Sequence, residues 1–182
     1  MFVLSAQEER LLLSFGVSEW YMKPDPGMVL PGYKTSPPGY YYRIGYEFFI
    51  SDTRFMHTEL LMSFNSASME GGIVKSSRLC YNYGFGLEFG RFKWSLNPGL
   101  CYVSLAYQNN ISGETLAETR FAPSLGLQAD YAFVKTKRQY MSLFTELSVM
   151  AHKPSKWVNQ LAAGLSWKPV LSKERKAAVS PL

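Results

Sequence analysis

Eight charged side chains are the residues with which this chain could do chemistry, because each lies in a segment of otherwise apolar or small residues. They are two arginines, five carboxylates and one histidine: Arg43, Glu47, His57, Glu59, Arg78, Glu88, Asp130 and Glu146. A carboxylate near a histidine can transfer protons, and arginines among carboxylates can gate a pore or form a buried network. We favour a structural network over a catalytic or gating cluster, since charges buried at low dielectric must be paired. The carboxylates outnumber the arginines, so at least one is protonated or pairs with a lysine such as Lys93.

The cysteines and histidines do not have the spacing of a metal site. Cys80 and Cys101 are too far apart in sequence to act as a zinc-binding pair, and His57 and His152 lie on different segments. We therefore predict no bound metal and no cofactor.

Alternation of bulky and small residues with a period of two predicts the β-strands that position these side chains. The pattern is clearest over residues 78–89, where large apolar residues at odd positions alternate with Arg78, Cys80, Asn82 and glycines. The predicted strands cover residues 10–22, 40–50, 55–64, 78–89, 94–102, 121–133, 141–149 and 157–167. Each is about ten residues long, which is enough to cross a bilayer at a tilt.

The two faces of these strands decide between a soluble β-domain and a membrane barrel. A soluble barrel places bulky residues inside and Lys, Glu and Thr outside. Here the second face consists of Gly, Ser, Ala and Asn with a few charges, which is what the narrow interior of eight strands can hold. The bulky face therefore points outward into lipid, around a small and polar lumen plugged by the charged residues.

Composition excludes several other classes. The 182 residues are 47% hydrophobic and 15% aromatic but only 18% charged, which excludes a disordered chain. The longest apolar runs, such as Leu11–Leu13, are far shorter than the roughly 18 residues of a transmembrane helix. The net charge of +5 is spread along the chain rather than clustered, so we predict no nucleic-acid partner.

The connections between strands alternate in length. Three are short (51–54, 90–91 and 134–139), three are longer and polar (23–39, 65–77 and 108–118), and the last, at 152–156, is compact. Outer-membrane barrels alternate short periplasmic turns with longer extracellular loops, and an even strand number places both termini in the periplasm. We predict a residual signal segment at residues 1–9, a barrel at 10–167 and a basic periplasmic tail at 168–182.

Strand number, loop alternation and facing over residues 10–167 resemble the small eight-stranded outer-membrane proteins, the OmpX-like and OmpA-transmembrane-like β-barrel family. The opening segment, which ends in Ser5-Ala6-Gln7, is similar to secretory signals common in Bacteroidota. The resemblance implies an all-β, antiparallel up-and-down transmembrane barrel in the bacterial outer membrane, in contact with lipid and lipopolysaccharide. The resemblance does not specify a role. We predict a structural, adhesion or partner-binding role, with an envelope partner at the extracellular loops or the periplasmic tail, and the charges in the lumen predict that there is no through-pore. One departure is that Trp167 is followed by a polar tail, whereas such barrels usually end on an aromatic residue.

Two other functions remain as alternatives. Lipid A deacylases of the PagL type share the eight-stranded architecture and use a His-x-Ser pair with a glutamate. His57 is followed two residues later by Glu59, and His152 by Pro154, so neither matches, and we predict that the chain is not an enzyme. A small-solute, porin-like channel is disfavoured by the charges in the lumen.

The turn at Gly90-Arg91 predicts the pairing of the two cysteines. A two-residue type II′ turn there sets Phe89 opposite Phe92, which places Cys80 opposite Cys101 in the lumen at a closely spaced pair. In an oxidising compartment these two residues can form a disulfide. A slip of two residues would instead place Cys101 opposite Asn82 and leave two free thiols. Both registers stay open on the sequence alone.

Overall fold

The computed structural model describes residues 8–22, 38–69, 72–153 and 156–173, and there the chain forms eight antiparallel strands. They are β1 (Glu8–Met22), β2 (Gly39–Phe49), β3 (Arg54–Met69), β4 (Gly72–Phe89), β5 (Phe92–Asn109), β6 (Thr115–Lys135), β7 (Gln139–Lys153) and β8 (Lys156–Lys173). Each strand pairs with the next, and β1 also pairs with β8, so that the sheet closes into a barrel. The predicted fold class is confirmed. Among the described residues, no helix is long and apolar enough to span a membrane.

The two ends of the barrel carry different connections. The terminal end holds the start of β1 and the end of β8 together with the β2–β3, β4–β5 and β6–β7 turns, and the opposite end is called the loop end. In the β4–β5 turn Gly90 has a φ of +61° while Arg91 does not have a positive φ, as a type II′ turn requires. The ladder that follows pairs Phe89 with Phe92, so the hairpin has the predicted register.

The alternation of side chains gives the barrel an apolar outer face. On β4 the residues at odd positions point outward, and Tyr81 and Phe85 are 59% and 51% exposed. On β6 the same holds for Leu125 and Leu127, and their neighbours Ser124 and Gln128 are buried in the lumen. The predicted facing, bulky outward and small or polar inward, holds along these strands.

The strands are longer than the sequence predicted. β3 ends at Met69 and β4 begins at Gly72, so most of the predicted 65–77 loop is paired strand, and of the predicted 108–118 loop only residues 110–114 lie between β5 and β6. These segments have the composition of loops, but their backbone continues the ladders: residues 65–69 of β3 pair with β4, and residues 72–77 of β4 pair with both β3 and β5. The barrel also exceeds its predicted 10–167 bounds at both ends. The predicted 23–39 and 152–156 connections, the opening segment and the tail lie wholly or partly outside the described residues.

Candidate functional site

The lumen is the candidate functional site, because the charged side chains singled out in the sequence converge there. All eight are at most 9% exposed: Arg43, Glu47, His57, Glu59, Arg78, Glu88, Asp130 and Glu146. Three further charged residues that the alternating pattern does not predict are buried with them, Glu8, Arg10 and Lys168. Lys93, the lysine predicted to pair with a surplus carboxylate, is also buried.

A first layer of ion pairs lies at the terminal end. Arg10 on β1 crosses the lumen to Glu88 on β4, with 2.7 Å from Nη1 to Oε2, and its Nε lies 2.5 Å from Glu8 Oε1. The guanidinium lies 3.7 Å from the centroid of the Tyr140 ring, a cation–π contact. Lys135 also contacts Glu88, at 2.7 Å. Although Glu88 and Lys93 are directly opposite in the β4–β5 ladder, Glu88 forms its ion pairs with Arg10 and Lys135.

The second layer contains both buried lysines. Lys93 forms an ion pair with Glu47, and Lys168 Nζ lies 3.1 Å from Asp130 Oδ1 and 3.6 Å from Glu47 Oε1. Lys93 Nζ also lies 4.1 Å from the centroid of the Phe55 ring. The lysines thus neutralise carboxylates that the arginines do not reach.

Arg43 forms the centre of the network. Its Nη1 lies 3.4 Å from Glu59 Oε2 and 3.6 Å from Glu146 Oε2, and the same nitrogen donates to Gln128. Its Nη2 donates to Ser14 Oγ at 3.0 Å. All of these side chains are buried, so the network is stabilising only when every member has its partners.

Both carboxylates at the centre have further partners. Tyr41 donates its hydroxyl to Glu146 Oε2 at 2.5 Å, and Asn82 Nδ2 donates to Glu59 Oε1 at 2.8 Å. His57 lies with Nε2 3.6 Å from Glu59 Oε2, and its ring stacks on Phe55 with 5.8 Å between centroids. His57 is therefore held inside the lumen beside a carboxylate.

Arg78 forms the layer nearest the loop end. It donates to Ser148 Oγ at 2.7 Å and to Gln160, and its Nη2 lies 3.7 Å from Glu146 Oε1. Glu146 therefore lies between Arg43 and Arg78, and a single carboxylate faces both guanidinium groups.

An apolar core also lies in the lumen, beside the small, polar and charged side chains that were predicted there, among them the buried Ser63, Asn65 and Ser76 toward the loop end. Ten buried residues form this core: Trp20, Tyr41, Leu61, Cys80, Cys101, Val103, Ala122, Phe144, Met150 and Ala162. Tyr41 and Phe144 pack with 5.3 Å between ring centroids. Glycines and serines on neighbouring strands leave space in the lumen, and these larger side chains fill it.

Cys80 and Cys101 are joined by a disulfide within this core. They are direct partners in the β4–β5 ladder, with 4.0 Å between their Cα atoms. Arg78 Nε donates to Cys80 Sγ at 2.7 Å, so the sulfurs link the apolar core to the charged layers.

At the terminal end the charged layers leave little room for a substrate or an ion. A cavity of about 10 Å³, roughly enough for one water molecule, lies at the terminal end among Arg10, Lys93, Asp130 and Lys168. Within the described ranges, no group of three or more His, Cys, Asp or Glu side chains is placed to hold a metal ion. The chemistry that the geometry supports is mutual neutralisation of buried charges.

Solved structures share this architecture. The attachment invasion locus protein Ail of Yersinia pestis matches with a TM-score of 0.65 and 8% identity over 90% of this chain and 99% of Ail. Neisserial surface protein A matches with a TM-score of 0.53 and 11% identity over 87% of this chain and 95% of that protein. The sequence matches no protein-family model and no curated protein. The chain has the fold of the small outer-membrane β-barrels.

An outer-membrane β-barrel fold places an apolar band against lipid, with aromatic residues at its margins. Near the terminal end the exposed aromatic residues include Phe89, Phe92, Trp94, Tyr131, Phe133 and Trp167. Near the loop end they include Phe15, Tyr40, Tyr42, Phe64, Tyr102 and Phe121. Between these two groups of aromatic residues the exposed side chains are largely leucines, together with Tyr81 and Tyr83.

Proposed function

We propose that this chain is an integral outer-membrane protein without a through-pore, with a structural, adhesion or partner-binding role. The observation that carries the proposal is the lumen, in which layers of ion pairs and an apolar core pack against each other. A barrel of eight strands has an interior only wide enough for side chains, and here those side chains are bonded across it.

The outer surface supports insertion into a membrane and contact with lipid and lipopolysaccharide. Leucines such as Leu127 and Leu165 are about half exposed, at 52% and 50%. On a soluble protein, an apolar belt around the whole barrel would cause aggregation. We propose that Glu8 and Lys173, which are register partners, lie at the periplasmic end, because β1 and β2, which the longest connection joins, meet at the other end.

The loop end supports a role in partner binding. The β5–β6 connection presents Ile111, which is 91% exposed. Asn109 Oδ1 accepts hydrogen bonds from the backbone N–H groups of Ile111, at 2.8 Å, and Ser112, at 3.2 Å, which fixes the turn. An apolar side chain on a hydrogen-bonded turn suits contact with another molecule, since little ordering of the backbone is needed on binding. Ail, with the same fold, has been crystallised with the heparin analogue sucrose octasulfate.

No observation favours the enzyme or channel alternatives. His57 is 1% exposed and faces the lumen, away from any lipid substrate. Arg43 spans the centre of the barrel, where a channel would need continuous water.

Conductance measurement tests the closed lumen. Purified protein inserted into planar bilayers should give no steady single-channel currents, and protein-free bilayers with the same detergent serve as the control. Steady currents of uniform size, in proportion to the inserted protein, would overturn the proposal.

Cysteine labelling of intact cells tests the orientation and the location together. Ser112→Cys, in the β5–β6 turn, should react with a membrane-impermeant maleimide on intact cells, because it lies at the loop end. The matched control is Lys137→Cys, an exposed position in the β6–β7 turn at the terminal end, which should react only after lysis. The reverse result would contradict the orientation, and labelling of neither on intact cells would contradict the location.

A further inference from the structure

The Cys80–Cys101 disulfide is fully buried inside the folded barrel. Both cysteines are 0% exposed, and Leu61 and Val103 pack in the same core. Arg78 covers Cys80 Sγ through its Nε and is itself 2% exposed. The lumen toward the terminal end is filled by the ion-pair layers. A reagent outside the folded barrel therefore cannot touch either sulfur.

Formation of a disulfide needs contact with a reagent. In thiol–disulfide exchange, the thiolate of one cysteine attacks a disulfide of the oxidant and forms a mixed disulfide, releasing one thiolate of the oxidant. The second cysteine thiolate then attacks this mixed disulfide and releases the other thiolate. The two cysteines lose two electrons and two protons in total, and the disulfide of the oxidant becomes a dithiol. The mixed disulfide requires the oxidant to be bonded to Cys80 or Cys101, and the filled lumen has no room for it.

In the β4–β5 hairpin on its own, before the barrel closes, an oxidant can reach both cysteines. The cysteines are 21 residues apart, and the tight turn at Gly90-Arg91 alone brings them opposite each other. In a hairpin that has not yet joined the other strands, the lumen-facing side of both strands is open to solvent.

We propose that the bridge is made on the β4–β5 hairpin before the barrel closes, by exchange with a disulfide-carrying oxidant in the compartment through which the chain is exported. Where this happens in the cell rests on the proposed function, but the order of the two events rests on the geometry alone. The bridged hairpin, with its register fixed covalently, is then the unit that enters the barrel.

Oxidation before and after folding tests this order. Reduced full-length chain is either treated with oxidised glutathione in urea or first folded into phospholipid vesicles and then treated identically. Alkylation in denaturant followed by intact-mass measurement counts the free thiols. We expect rapid bridging in urea and bridging at least about 100-fold slower in the folded barrel, because exchange there must wait for the barrel to open. Rates within a few fold of each other would overturn the proposal.

A control shows that the reagent reaches folded protein. Lys75 on β4 is exposed, so Lys75→Cys in a Cys80→Ser, Cys101→Ser background should form a mixed disulfide with glutathione at similar rates before and after folding. If the reduced chain does not fold, the reverse reaction replaces the test: the oxidised, folded barrel should resist dithiothreitol that reduces the same bridge quickly in urea. Equal reduction rates would overturn the proposal. Neither readout depends on conductance or cellular location, so failure here is distinct from failure of the proposed function.

Discussion

Substitution of Arg43 by methionine should be among the most damaging single changes in this barrel. The side chain faces Glu59 at 3.4 Å and Glu146 at 3.6 Å, and neither carboxylate has access to water. Loss of one partner of a buried ion pair costs about 3–5 kcal/mol, because the remaining charge is left unneutralised. Glu59 keeps Asn82 and Glu146 keeps Tyr41, so we expect this range rather than twice as much.

The free energy of unfolding in urea, with the protein folded in phospholipid vesicles, measures the effect through its four tryptophans. Arg91→Met is the matched control, since Arg91 is exposed and donates only a long 3.4 Å bond to the Phe133 carbonyl; it should change stability by less than about 0.5 kcal/mol. Adding Glu59→Gln to Arg43→Met should recover roughly half of the loss, because one unpaired charge is removed. Equal effects of the Arg43 and Arg91 substitutions would refute the reasoning, and so would a further loss on adding Glu59→Gln.

Four other substitutions test the lumen and the lipid face in the same assay. Gly84→Ala should cost about 1–3 kcal/mol, because its Cβ would collide with the His57 ring, whereas at Gly126 the nearest atoms are 3.5 Å away and Gly126→Ala should cost nothing measurable; equal costs would contradict this. Leu127→Arg should cost roughly 2–4 kcal/mol near the bilayer midplane, and an unchanged stability would mean that this face does not meet lipid. Arg78→Met should destabilise less than Arg43→Met, since Arg78 faces one carboxylate rather than two, and the opposite order would contradict the pairing.

The strands, their facing and one register could be predicted from the sequence because these are local properties. Alternation fixes which side chains share a face, and the Gly90-Arg91 turn fixes how far Cys80 lies from Cys101 across the hairpin. The ends of the strands could be predicted less well from the sequence. Residues 65–77 are mostly polar or small, and only pairing with the neighbouring strand shows that they are not a loop.

The partners across the lumen could not be predicted, because they depend on how the closed sheet is staggered. Arg10 and Lys168 were missed since each lies at or beyond the edge of the alternating pattern, although both have the parity of the inner face. The apolar core was missed for a related reason. Trp20 and Leu61 interrupt a face composed mainly of small residues, and the sequence does not show that they meet in space.

The contacts of Arg43 have a consequence for the seam at which the barrel closes. β1 and β8 are not consecutive in the chain, so no turn joins them, and this is where a lateral gate toward the membrane would open. Ser14 on β1 and Ser166 on β8 lie 2.7 Å apart across that seam, and Arg43 donates to both hydroxyls, at 3.0 Å and 3.4 Å. Parting the two strands would break these bonds and turn a guanidinium toward hydrocarbon, which is costly. Arg43 therefore opposes the separation of β1 and β8 from the lumen side, and with it a lateral opening toward the bilayer.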